Sequence, residues 1–65
     1  MKSVKRTLFD KLNAFYPDKE FVLGVISNVD NDEHYQRIID FMDSGEDVTV
    51  ENIIVLSVLL GNEVD

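Results

Sequence analysis

Residues 50–60 read VENIIVLSVLL, and the way this stretch is buried decides the fold. Only Glu51, Asn52 and Ser57 interrupt its apolar side chains. At 100° per residue, Ile53, Ile54, Val55 and Leu56 alone sweep most of a helical wheel, and an element apolar all round needs cover on nearly every side. Two arrangements supply that cover: a central helix wrapped by the rest of the chain, or a helix that completes its burial in a partner. The competing reading is a buried strand over residues 52–60, paired with residues 21–27 around the intervening helix as a β-α-β unit. A solitary pair of parallel strands lacks the cover that parallel sheets need on both faces, so the helix is preferred. Thr49 stands where its N-cap belongs, Val48 and Ile53 occupy the staple positions N′ and N4, and Gly61 follows as a stop signal.

Working back from this stretch, three further helices are expected. Val4, Leu8, Leu12 and Phe15 fall on one narrow stripe, with Phe9 and Tyr16 at its margins. Ser3 is the N-cap, and Pro17 ends the helix by disfavouring the α conformation at Tyr16. Residues 18–29 open with Asp18 as a cap and continue FVLGVIS, where Gly24 costs about 1 kcal/mol in a helix relative to Ala. Only Pro17 and Asp18 separate this run from the first helix, which is the spacing of an αα-hairpin, so helix is favoured here too. The missing side chain of Gly24 is expected to let another helix approach. After a turn rich in Asn and Asp at residues 28–32, Tyr35, Ile38, Ile39 and Met42 recur at i, i+3, i+4 and i+7. Asp30 with Glu33 has the form of a capping box, with Asn31 as the alternative cap, and Gly45 is free to take the left-handed C′ conformation.

The expected architecture is therefore all-α, a compact bundle of four short helices forming one small domain over residues 1–65. Its expected core is Leu8, Leu12, Phe15, Phe21, Ile38, Ile39, Met42, Ile53, Leu56 and Leu60. A chain of this size buries only about 60% of its unfolded surface and usually leans on disulfides, a metal or oligomerisation. The sequence has no cysteine and one histidine, so disulfides, thiolate zinc and a histidine-rich metal site are excluded. Oligomerisation or a very efficient helical core remains, and self-association as a homodimer, through the last helix or the margin at residues 9–16, is expected.

The net charge of −7 is unevenly spread. Residues 1–20 set Lys2, Lys5, Arg6, Lys11 and Lys19 against Asp10, Asp18 and Glu20, a balance of +2, whereas residues 21–65 set Arg37 alone against ten acids, a balance of −9. An acidic surface repels phosphate backbones and anionic lipid, so no direct nucleic-acid or membrane partner is expected. Surplus acid serves solubility in most proteins of this kind. Leu8 and Phe9 are met at once by Asp10 and Lys11, which rules out a secretion signal after the basic start. The apolar run near the C-terminus falls short of the roughly 18 residues that span a bilayer, and a cytoplasmic location is the default.

No chemistry-bearing motif stands out. Asp30, Asp32, Glu33 and His34 resemble the opening of a calcium loop. The sixth position is Tyr35 in place of Gly, though, and the twelfth is Phe41 in place of Glu. Such acids suit a helix N-terminus, where the dipole favours them. The serines lie in no G-x-S-x-G setting, the glycines form no phosphate loop, and the aromatics are spaced as core residues. The last helix, offering Ile, Val and Leu to any groove, is no DNA-recognition helix.

What remains is a set of acids around the turn before the last helix: Asp40, Asp43, Glu46, Asp47 and Glu51. They are the candidate partner-binding residues, a negative patch suited to a basic protein surface. The functional expectation is a non-catalytic, cofactor-free protein-interaction or regulatory module of bacterial or phage type, its protein partner unidentified. The alternative is an acidic inhibitor that fills the nucleic-acid groove of a host-defence protein by imitating phosphate charge.

Overall fold

The computed structural model describes residues 3–62, leaving Lys2 of the basic N-terminal end outside them. Four helices form: α1 (Val4–Phe15), α2 (Lys19–Asn28), α3 (Asp32–Ser44) and α4 (Val50–Gly61). The described residues contain no strand, so the β-α-β alternative is excluded for residues 21–27 and 52–60.

Each helix begins where a side chain can satisfy its free N–H groups. The oxygens of Ser3, Asp18, Asn31 and Thr49 accept from the backbones of Arg6, Glu20, His34 and Asn52. The cap of α3 is thus Asn31 and not Asp30, and Asp32 and Glu33 fall in the first turn. There the helix dipole favours their charge. Pro17 has the expected effect: Tyr16 is extended (φ −152°, ψ 105°) and α1 ends at Phe15. Gly45, at φ 73°, closes α3 in the left-handed conformation that a Cβ would resist.

α1 lies beside α2 and α3, and α4 also lies beside α2 and α3, so the four helices enclose one core. Leu8 and Leu12 enter it from α1, and Val22, Val25 and Ile26 from α2, with Val29 just beyond its end. Tyr35, Ile38 and Ile39 enter from α3, and Ile53 and Leu60 from α4. Six of the ten expected core residues are fully enclosed. Phe21, Met42 and Leu56 pack against the core half-buried, and Phe15 is 39% exposed at the C-terminal end of α1. The contribution of α2 comes from Val22, Val25, Ile26 and Val29, an i, i+3, i+4, i+7 set offset by one residue from Phe21.

α4 is not the wrapped central helix. It buries one face, formed by Ile53, Ser57 and Leu60, and leaves Ile54, Val55, Val58 and Leu59 exposed. The reason lies in Ser57 and Gly61, one turn apart on the side that faces the end of α2. Ser57 is fully buried; its hydroxyl donates to the Ile54 carbonyl at 2.8 Å and accepts from the Asn28 amide nitrogen at 3.4 Å. A Cβ built on Gly61 would overlap the Asn28 carbonyl oxygen. Small residues therefore let the end of α4 press onto the end of α2. The close approach expected at Gly24 occurs at Gly61 instead, because a Cβ at Gly24 meets nothing within 4 Å.

α3 is held to α2 by Tyr35, whose buried hydroxyl donates to the carbonyls that end α2, Val29 at 2.7 Å and Ile26 at 3.2 Å. Burial, with Asp30 and Asp32 adding negative charge nearby, pushes the Tyr35 phenol above its ordinary pKa. The Cα radius of gyration is 10.7 Å, matching the roughly 11 Å of a self-contained domain of this length. The exposed face of α4 is therefore not the result of an expanded chain.

Candidate acidic-rimmed cleft on the last helix

An open cleft of about 420 Å³ lies between α3 and α4 beside the turn that links them. Its floor is apolar: Phe41 from α3, and Val55, Leu56 and Leu59 from α4. Ser44, Glu46, Asp47 and Asn52 form the polar end. The linking turn is shaped by local hydrogen bonds. Ser44 donates its hydroxyl to the Phe41 carbonyl at 2.6 Å and accepts from the Glu46 N–H at 3.3 Å. Asp47 adopts φ 52°, a left-handed conformation that short polar side chains tolerate best, and Asn52 secures it by donating to the Asp47 carbonyl at 2.7 Å.

The five acids named from the sequence are not gathered into one site. Glu46 and Asp47 line the cleft, and Glu51 lies outside the lining in the exposed first turn of α4. Asp43 is engaged by Lys11, whose ammonium lies 2.7 Å from its Oδ1 and ties α1 to α3. Asp40 accepts from the Gln36 amide at 3.0 Å on the outer face of α3. The sequence reading missed Asn52, which fixes the turn, and Val55 and Leu59, which supply the apolar wall. The spacing of Ser57 and Gly61 was the available signal. Small residues at i and i+4 mark the face that packs closely, and so mark the opposite face as outward.

The outward face runs from Glu51 to Asn62, polar at both ends, with Ile54, Val55, Val58 and Leu59 between them. Val55 and Leu59 are 49% and 59% exposed, high values for aliphatic side chains on adjacent turns of one helix. A second open hollow, of about 460 Å³, lies beside α2, but it mixes Lys5 with Asp30 and has only Leu23 as a well-exposed apolar wall. At the start of α3, the Nδ1 atom of His34 lies 3.3 Å from the Asn31 amide nitrogen. No group of three His, Cys, Asp or Glu side chains among the described residues is placed to hold a metal ion. No helix among those residues is long and apolar enough to cross a membrane.

Comparison with protein-family models, with curated proteins and with solved structures produced no match to this chain.

Proposed function

We propose that the protein is a non-catalytic interaction module that receives a protein partner on the outward face of α4 and the adjoining cleft. One observation carries this reading: four aliphatic side chains remain exposed together on one helix face, whereas the other large exposed apolar side chains, Phe15, Tyr16 and Leu23, lie at the end of α1 and on α2. Contiguous apolar surface rimmed by polar residues is characteristic of binding sites. Asp47 and Asn52 set the shape of the polar end, so the surface has a defined border. The acidic-mimic alternative draws on the same net charge but has less support. Lys11 engages Asp43, and the floor between the remaining acids is apolar, whereas a groove built for phosphates is polar and basic.

Site-specific photo-cross-linking in cells tests the proposal. A photoreactive side chain at Leu59 should give one discrete adduct, whereas the same group at Gln36, on the outer face of α3, should give none. Equal labelling from both positions, or labelling from neither, would rule out α4 as the contact surface.

A further inference from the structure

We infer that the occupant of the α4 surface is a short amphipathic helix of another protein, carrying Lys or Arg at the end that meets Glu46 and Asp47. This rests on the interaction-module reading and specifies the partner's chemistry. Three observations select it over other occupants.

The first concerns backbone hydrogen bonding. The described residues offer no sheet edge, so an extended segment would bring unpaired N–H and C=O groups to an apolar surface. A helix satisfies its own backbone and presents side chains alone, which is how amphipathic helices enter hydrophobic grooves. The strip from Glu51 to Asn62 is about 16 Å long at 1.5 Å per residue, enough for roughly three turns of such a helix.

The second is area. Four half-exposed aliphatic side chains amount to a patch of a few hundred Å², well below the roughly 800 Å² per partner of a stable protein–protein interface. A short helix can cover such a patch in a weak, reversible complex, whereas a second copy meeting this face through its own α4 would bring no Lys or Arg to Glu46 and Asp47. It would also bring together two chains that each carry a net charge of −7.

The third is charge. Glu46 and Asp47 are both exposed at the polar end of the cleft, and no Lys or Arg is among its lining residues. An arriving cation therefore meets carboxylates, while its apolar neighbours meet Val55, Leu56 and Leu59.

The test is a nitrogen-15 NMR titration of the full chain with two synthetic 14-residue amphipathic helices. They share one leucine stripe and differ in carrying a Lys pair or a Glu pair at one end. The Lys peptide should shift Glu46, Asp47, Asn52, Val55 and Leu59 and bind about tenfold more tightly than the Glu peptide at low salt, with the difference closing as salt is raised. Glu46→Gln with Asp47→Asn should weaken the Lys peptide several-fold and strengthen the Glu peptide by relieving its repulsion, so that the two affinities converge; Asn keeps the left-handed turn at position 47 accessible. Leu59→Ser should weaken both peptides. Equal affinity for the two peptides, binding by neither, or shifts on another surface would overturn the inference. A concentration-dependent dimer seen by sedimentation, with α4 protected, would also overturn it. That result would leave the interaction-module reading standing, because the face would then be occupied by a second copy.

Discussion

The hydroxyl of Tyr35 donates to the main-chain carbonyl of Val29 across 2.7 Å inside the core, and this bond joins the end of α2 to the first turn of α3. Carbonyls at a helix C-terminus lack intrahelical partners; the Val29 carbonyl finds its own in this phenol, and the Ile26 carbonyl accepts from both the phenol and the Val29 N–H. Tyr35→Phe keeps the ring and removes the donor, leaving the Val29 carbonyl without this partner while Ile26 keeps the Val29 N–H. Its expected cost is about 1–3 kcal/mol, read as a lower denaturant midpoint with unchanged slope. An unchanged midpoint would mean that water reaches the Val29 carbonyl.

The same residue sets a pH dependence. Burial first, and then Asp30 and Asp32, raise the Tyr35 pKa in the folded chain above the ordinary value of 10.0. The neutral phenol is therefore the form that folding favours. Its contribution is fully present below the unfolded pKa and is lost as pH rises through the folded one. Thermal melts of the native chain should fall more steeply above pH 10 than those of Tyr35→Phe. Parallel curves for the two proteins would remove Tyr35 from the alkaline transition.

Two glycines should respond to alanine with opposite signs. At Gly24 the added Cβ meets nothing, so Gly24→Ala should stabilise by about 0.5–1 kcal/mol through lower unfolded-state entropy. At Gly61 it meets the Asn28 carbonyl oxygen, which is backbone and cannot rotate aside. Gly61→Ala should destabilise by about 1–3 kcal/mol. Chemical denaturation of both variants reads the contrast directly.

Along α4 the cost of truncation should follow burial. Ile53→Ala should cost about 2–5 kcal/mol, since it empties a fully enclosed site. The half-buried Leu56 should cost less, and Leu59→Ala should stay within about 0.5 kcal/mol. Equal losses at Ile53 and Leu59 would contradict the one-sided packing of this helix.

The ion pair between Lys11 and Asp43 is partly exposed, so Asp43→Asn should shift stability by no more than about 1 kcal/mol. The same substitution should leave Lys-peptide binding nearly unchanged, because Asp43 does not line the cleft. A loss as large as that from Glu46→Gln with Asp47→Asn would place the contact surface further along α3.

Local signals decided the four helices and their boundaries. Ser3, Asp18 and Thr49 are caps because a short side-chain oxygen before a helical run satisfies free N–H groups whatever the rest of the chain does. Pro17 and Gly45 end helices through backbone sterics that act within one or two residues. The core stripes of α1 and α3 were legible for a related reason: polar residues alternate with apolar ones there, so the periodicity has contrast. In α4 that contrast is missing. Ile53, Ile54, Val55 and Leu56 have similar hydrophobicity, and pattern alone gives no preference for which of them turns inward. Tertiary structure decided it, through the fit of Ser57 and Gly61 against Asn28, a contact between residues about 30 positions apart. That choice turned Val55 and Leu59 outward, placed Glu46 and Asp47 beside them and directed Asp43 to Lys11. Which acids border a binding surface depends on helix packing, because charge alone carries no information about the direction in which a side chain points.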